Sequence, residues 1–134
     1  MATTAPLVVG VDRSEESAAA LTVALRWATA LGRPLTVVHA IGLLEEGGYR
    51  AAPEVADQVA AAHRAVPGSD AVDVDVVRED GPAVEVLLRV AERLGADTIV
   101  IGRRGLGEAP RPLGSVSEAL VARAHVPVLV VPGG

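Results

Sequence analysis

Thr98-Ile99-Val100-Ile101-Gly102-Arg103-Arg104-Gly105-Leu106-Gly107-Glu108-Ala109-Pro110-Arg111-Pro112-Leu113-Gly114-Ser115-Val116-Ser117 starts as a β-branched apolar run, passes through glycines and arginines, and ends where a helix can begin. The opening run does not alternate with polar residues. Both of its faces are therefore expected to be buried, as in a parallel sheet covered by helices. Leu7 to Val11, Leu35 to Ile41 and Val126 to Val131 share that character. A fifth run, Val72-Asp73-Val74-Asp75-Val76-Val77, does alternate, and reads as a strand with one wet face at a sheet edge.

Helical patterns lie between these runs. Ser14 can cap a helix with Glu15 and Glu16 in its first turn, where the helix dipole favours carboxylates. Ala18, Leu21, Leu25 and Ala28 form its stripe, and Gly32 followed by Pro34 stops it. Pro53 to Val66 is a second helix with Val55, Val59 and Ala62 on one side. Gly81-Pro82 opens a third, striped by Val86, Leu87, Val90 and Leu94 and ended by Gly95. A fourth starts at Ser115, runs to about Ala124, and carries Arg123 in its last turn. The order β-α-β-α-β-α-β-α-β predicts an α/β fold, a doubly wound five-stranded parallel sheet with right-handed crossovers and helices on both faces. At 134 residues, with no repeat and no linker, one domain over 1–134 is expected.

Composition removes several chemistries. All twelve basic residues are arginines, which excludes lysine-dependent phosphate loops, Schiff-base catalysis and receiver domains that need a lysine. There is no cysteine, hence no disulfide, thiol nucleophile or thiolate metal site. Trp27 and Tyr49 are the only aromatics, so the core must be aliphatic. A net charge of −5 argues against a general nucleic-acid or anionic-membrane surface. Apolar runs reach only strand length, and Met1 to Pro6 holds no basic or long apolar stretch, so a soluble cytoplasmic protein is expected.

Ligands in doubly wound sheets sit at the carboxyl ends of strands. Two connections there, Gly42 to Arg50 and Arg103 to Leu113, exceed the usual roughly 2–6 residues. The second carries three arginines and one glutamate, its glycines admit close approach to backbone N–H groups, and it leads to a helix start with Ser115 and Ser117 as added hydroxyl donors. That suits a phosphate; a helix cap plus a flexible loop is the plain alternative. Asp12, at the end of the first strand, can either cap the following helix or accept from a ligand amino group or hydroxyl. His39 reads as a core histidine rather than a catalyst. With His63 and His125 distant in sequence, no structural metal is expected. Ser115 lacks a nucleophile elbow and an evident acid–base partner.

Across essentially the whole chain the sequence resembles the universal stress protein family. The matching pieces are Val8-Val9-Gly10-Val11-Asp12-Arg13-Ser14-Glu15-Glu16-Ser17, Leu35-Thr36-Val37-Val38-His39-Ala40, Gly95-Ala96-Asp97-Thr98-Ile99-Val100-Ile101-Gly102, Gly114-Ser115-Val116-Ser117 and Pro127-Val128-Leu129-Val130-Val131-Pro132. The resemblance implies strand order 3-2-1-4-5 and dimerisation through the last strand. In the ATP-binding branch, Gly102, Gly105, Gly114 and Ser115 would contact ribose and phosphates. Asp12 would meet the adenine edge near Gly10 and Ala40, and Ile101, Arg104 and Val116 would complete the pocket. Two departures stand out. Eight residues, Leu106 to Leu113, separate Gly105 from Gly114 where that branch has nine, and Arg103 replaces a small residue.

The leading reading is thus a stress-response protein that senses or signals by binding ATP, with or without Mg²⁺, or another adenine nucleotide. A family member that binds no nucleotide and acts through its dimer surface is the alternative. A slow ATPase stands third, because no general base or acidic pair for Mg²⁺ is evident beside the glycine loop. A homodimer is expected through Val126 to Val131, an apolar last strand with Pro127 at its start, whose open edge favours self-pairing.

Overall fold

Strands buried on both faces need helices above and below them, and the alternating chain supplies one helix per crossover. The computed structural model describes residues 4–12, 14–41, 51–104 and 112–133, with the backbone alone for 51–54. In chain order the elements are β1 (Leu7–Gly10), α1 (Glu15–Leu31), β2 (Leu35–Ile41), α2 (Ala51–Ala65), a 3-10 turn (Ser69–Ala71), β3 (Val74–Asp80), α3 (Ala83–Leu94), β4 (Thr98–Gly102), α4 (Ser115–Arg123) and β5 (Val128–Val131). The sheet runs β3-β2-β1-β4-β5 and every neighbouring pair is parallel. Leu7 on β1 aligns with Leu35 on one side and Thr98 on the other. The fold class and strand order expected from sequence are those observed.

Alternation along β1 splits the core into two aliphatic layers. Leu7 and Val9 pack with Leu21, Leu25 and Val55 under α1 and α2, while Val8 packs with Val86, Leu87, Val90 and Leu120 under α3 and α4. Helix α1 starts where Ser14 Oγ accepts from the Ser17 N–H at 3.1 Å. It stops at Gly32, whose φ of +65° is the left-handed turn that glycine adopts without steric cost.

Several boundaries and faces differ from the sequence reading. On α1 the buried face includes Ala20 and Ala24 beside Leu21, Leu25 and Ala28, and Ala18 is half-buried. On α3 Ala91 completes the buried stripe, whereas Leu94, in the last turn, is exposed. The third strand starts at Val74, because the 3-10 turn takes residues 69–71 and Val72 closes it. It continues to Asp80, and Val76 on this edge is exposed. The last strand covers Val128–Val131 rather than Val126 to Val131. Only Val131 is buried, since an edge strand lacks a neighbour on one side.

Candidate functional site

Consecutive crossovers run outward from β1 toward β3, then the chain returns to place β4 on the other side of β1. Beyond the carboxyl ends of β1 and β4 the connections part in opposite directions and leave a crevice. A cavity of about 260 Å³ opens there, a little below the usual range for small-molecule sites. Of the residues expected at a site, Gly10, Asp12, Ala40, Ile101, Gly102, Arg104 and Val116 line it together. Gly114 is the buried N-cap of α4 and Ser115 its exposed first residue; neither is part of the lining. Gly105 and the remainder of the shortened loop, 105–111, lie outside the described residues, as does the 42–50 connection.

The two glycines of the lining have different reasons to be glycine. A Cβ on Gly102 would lie 2.8 Å from the backbone carbon of Glu16, so this glycine is what lets β4 and α1 meet. A Cβ on Gly10 would come within 2.9 Å of the Leu87 side chain, which fills the cavity floor from α3. Gly102 thus serves helix packing as well as lining the cavity.

Two helices present their N-termini to this cavity, and they are built alike. On α1, the buried Ser17 Oγ accepts from the Asp12 N–H at 3.0 Å and donates to the Asp12 carbonyl at 2.8 Å. On α4, the buried Ser117 Oγ donates to the Arg103 carbonyl at 2.5 Å, and the Gly114 N–H donates to the same oxygen at 2.8 Å. Ser117 thus closes its own loop instead of offering a hydroxyl to a ligand, a correction to the reading from sequence. The ends differ in their caps. Ser14 caps α1 with its side chain and Asp12 Oδ1 accepts from the Ser14 N–H at 2.7 Å, whereas Gly114 gives α4 no side-chain cap. Asp12 therefore does both things considered for it in part: its carboxylate organises the entry to α1 and the residue lines the cavity.

Sequence reasoning passed over Glu16, Gln58 and Leu87. Glu16 Oε2 accepts from the Arg104 N–H at 2.6 Å and Oε1 from Arg104 Nη2 at 2.9 Å, so α1 reaches across to the turn after β4. Burial opposes ionisation of Glu16, but the Arg104 side-chain and backbone hydrogen bonds, with the charges of Arg104 and Arg103, hold its carboxyl below its ordinary value. From α2, Gln58 Nε2 donates to the Asp12 carbonyl at 2.8 Å. Leu87 was placed on the core stripe of α3, and the Gly81-Pro82 start of that helix was the signal that it also reaches this end of the sheet. His39 is buried on β2 and lies outside the cavity lining. Among the described residues no cluster of three His, Cys, Asp or Glu side chains can hold a metal ion. Nor is any described helix long and apolar enough to cross a membrane.

Comparison with known proteins matches this arrangement. The model of the universal stress protein family covers residues 4–132. A universal stress protein of Mycolicibacterium smegmatis is 35% identical over 95% of this chain, which spans about half (48%) of that relative's length. One from Thermus aquaticus is 34% identical over 93% of the chain and 96% of its own length. Among solved structures, a universal stress protein in complex with cAMP superposes with a TM-score of 0.75 at 30% identity, over 99% of this chain and all of the other. The family model spans nearly the whole chain and relatives above 30% identity align along it, so the chain belongs to the universal stress protein family.

Proposed function

We propose that the chain binds an adenine nucleotide, ATP among the candidates, in the cavity between β1 and β4, and that occupancy is its signal in a stress response. The observation that carries this is the N-terminus of α4. It has no side-chain cap, its first turn lines the cavity through Val116 and Ser117, and Gly114 sits at its start. Helix N-termini attract phosphate through their N–H groups and dipole. Beside it the lining is apolar, with Val38, Ala40, Ile101, Pro82 and Leu87 offering a slot for a flat base. Asp12 supplies polar atoms at the rim. These features fit a base at the apolar end and a phosphate at the helix end, and the cAMP complex of a relative 30% identical supports the same class of ligand.

A homodimer through β5 belongs to the same proposal. Val128, Leu129 and Val130 are half-buried on an edge strand of four apolar residues, and Val121 on the adjoining α4 is exposed. An unpaired apolar edge of this kind favours pairing with its own copy about a two-fold axis.

The test is direct. Protein purified without added nucleotide is heat-precipitated, and the supernatant is scanned for adenine absorbance. Calorimetric titration with ATP, cAMP and adenosine follows. Adenine in the supernatant or saturable binding is expected; a clear supernatant with no binding of any of the three overturns the nucleotide reading. Light scattering at micromolar concentration should give twice the chain mass, and a monomer mass overturns the dimer.

A further inference from the structure

Among the described residues that line the cavity, Arg104 is the one cation. Its guanidinium and its backbone N–H are donors that an incoming phosphate would seek beside the N-terminus of α4. Both are already engaged by the carboxylate of Glu16, at 2.9 and 2.6 Å. The carboxylate is not a loose surface partner: its side chain is 16% exposed, against 28% for Arg104. It is also held from two sides. The Gly102 backbone abuts the Glu16 backbone closely enough to forbid a Cβ, and a Cβ on Gly133 would overlap the Glu16 side chain. Glycine at 102 lets the Glu16 backbone approach β4, and glycine at 133 leaves room for its carboxylate. A charge-assisted pair that engages two donors of one residue is strong and geometrically selective.

We infer that Glu16 is an internal counter-anion that neutralises Arg104 and sets how much negative charge the site accepts. Adenine ligands with little charge, a nucleoside or a cyclic monophosphate, enter without disturbing the pair. Each further phosphate meets a site whose one cation among the described lining residues is already spent on Glu16. The inference rests on the adenine-nucleotide reading and deepens it, from the class of ligand to the charge that ligand carries.

ATP and adenosine are titrated, without divalent cation, into the wild-type protein, Glu16→Gln, and the double variant Glu16→Gln with Arg104→Gln. The wild type is expected to bind ATP no more than a few times more tightly than adenosine. Glu16→Gln should raise the ATP-to-adenosine affinity ratio about tenfold, the effect of removing one charge a few ångströms from a polyanion. The double variant restores the local charge and should return the ratio to that of the wild type. Loosened packing alone would move both ligands together and leave the ratio unchanged, which overturns the inference and leaves the nucleotide reading standing. A wild type that prefers ATP over adenosine by about a hundredfold, the mark of an open arginine, overturns it without any variant. If neither ligand binds any of the three proteins, both readings fall.

Discussion

The cavity has two helical walls assembled on one plan and finished differently. In each, a strand ends, the backbone turns, and a buried serine in the first helical turn, Ser17 or Ser117, ties the helix back to a carbonyl of that turn. At α1 the plan is completed by side chains: Ser14 caps, Asp12 holds the Ser14 N–H, and Glu16 reaches over to Arg104. At α4 it stops at Gly114, which has ordinary dihedral angles of φ −74° and ψ 168° and brings no side chain. Since those angles suit any residue, backbone strain does not explain the glycine. A missing cap costs α4 only a few tenths of a kcal/mol when glycine stands there. The contrast teaches that α1 is finished by side chains while α4 has no side-chain cap at Gly114, the difference on which the proposed phosphate position depends.

The hardest way to break the comparison is to push the walls apart. Gly102→Ala sets a methyl group 2.8 Å from the Glu16 backbone, and overpacking of this kind costs about 1–3 kcal/mol. Urea unfolding should show that loss, and adenosine binding should weaken because α1 has moved. Next comes Gly114→Asp, which finishes α4 in the manner of α1. A carboxylate at that N-cap should cut ATP affinity by about tenfold or more through like-charge repulsion, adenosine affinity much less, with thermal stability held or slightly raised. Titration of both ligands checks it, and a variant that keeps full ATP affinity removes α4 from the site.

A smaller effect is expected on the other wall. Ser14→Ala removes the α1 cap and should cost about 1 kcal/mol of stability, read from the urea midpoint, without changing the ATP-to-adenosine ratio. A changed ratio would mean that the α1 cap itself, and not Glu16 alone, sets the charge preference.

The smallest effect is on pH dependence. Glu16 is held below its ordinary value as described; Glu79 is lowered chiefly by its hydrogen bond from Arg93, against burial and with Arg89 assisting; Asp97 is lowered chiefly by its hydrogen bond from Arg33. For a lowered carboxyl the unfolded chain binds more protons between the folded value and the ordinary one. Its contribution is therefore complete above the ordinary value of 4.5 for glutamate and is lost as pH falls below it. Melting temperature should hold from neutral pH to about pH 4.5 and then decline, and Glu16→Gln should decline less steeply. Equal slopes would show that the α1 clasp is silent in stability.

Much of the fold was legible because the chain punctuates itself. β-Branched runs without alternation announce a buried parallel sheet, and Gly32 and Gly95 stop the helices where the left-handed turn is needed. The helix faces were less legible for a reason of volume. Along Ala18-Ala19-Ala20 no residue is large enough to declare its direction, so the choice of Ala18 over Ala20 could not be made from pattern. Leu94 followed the period of α3 but falls at the helix end, beyond the layer it would pack into. Seven of the ten expected site residues meet in one cavity, since strand ends and switch points follow from element order. Glu16 and Arg104 are 88 positions apart, and no local pattern announces their pairing. Glycine likewise serves close helix packing and loop freedom equally well in sequence, and only the Cβ direction separates them at Gly102.

The central position of β1 also orders events in time. Leu7 must find Leu35 on one side and Thr98 on the other, so the second pairing closes a loop of most of the chain. Contacts of such long sequence separation form slowly, because the closure entropy comes before the reward. During synthesis, β1, α1 and β2 can assemble early, yet one edge of β1 stays open until β4 has emerged. The cavity consequently has no independent existence as a local motif. It forms only once β4 has paired with β1 and α4 has followed it, and a nascent chain that has not reached β4 lacks the cavity.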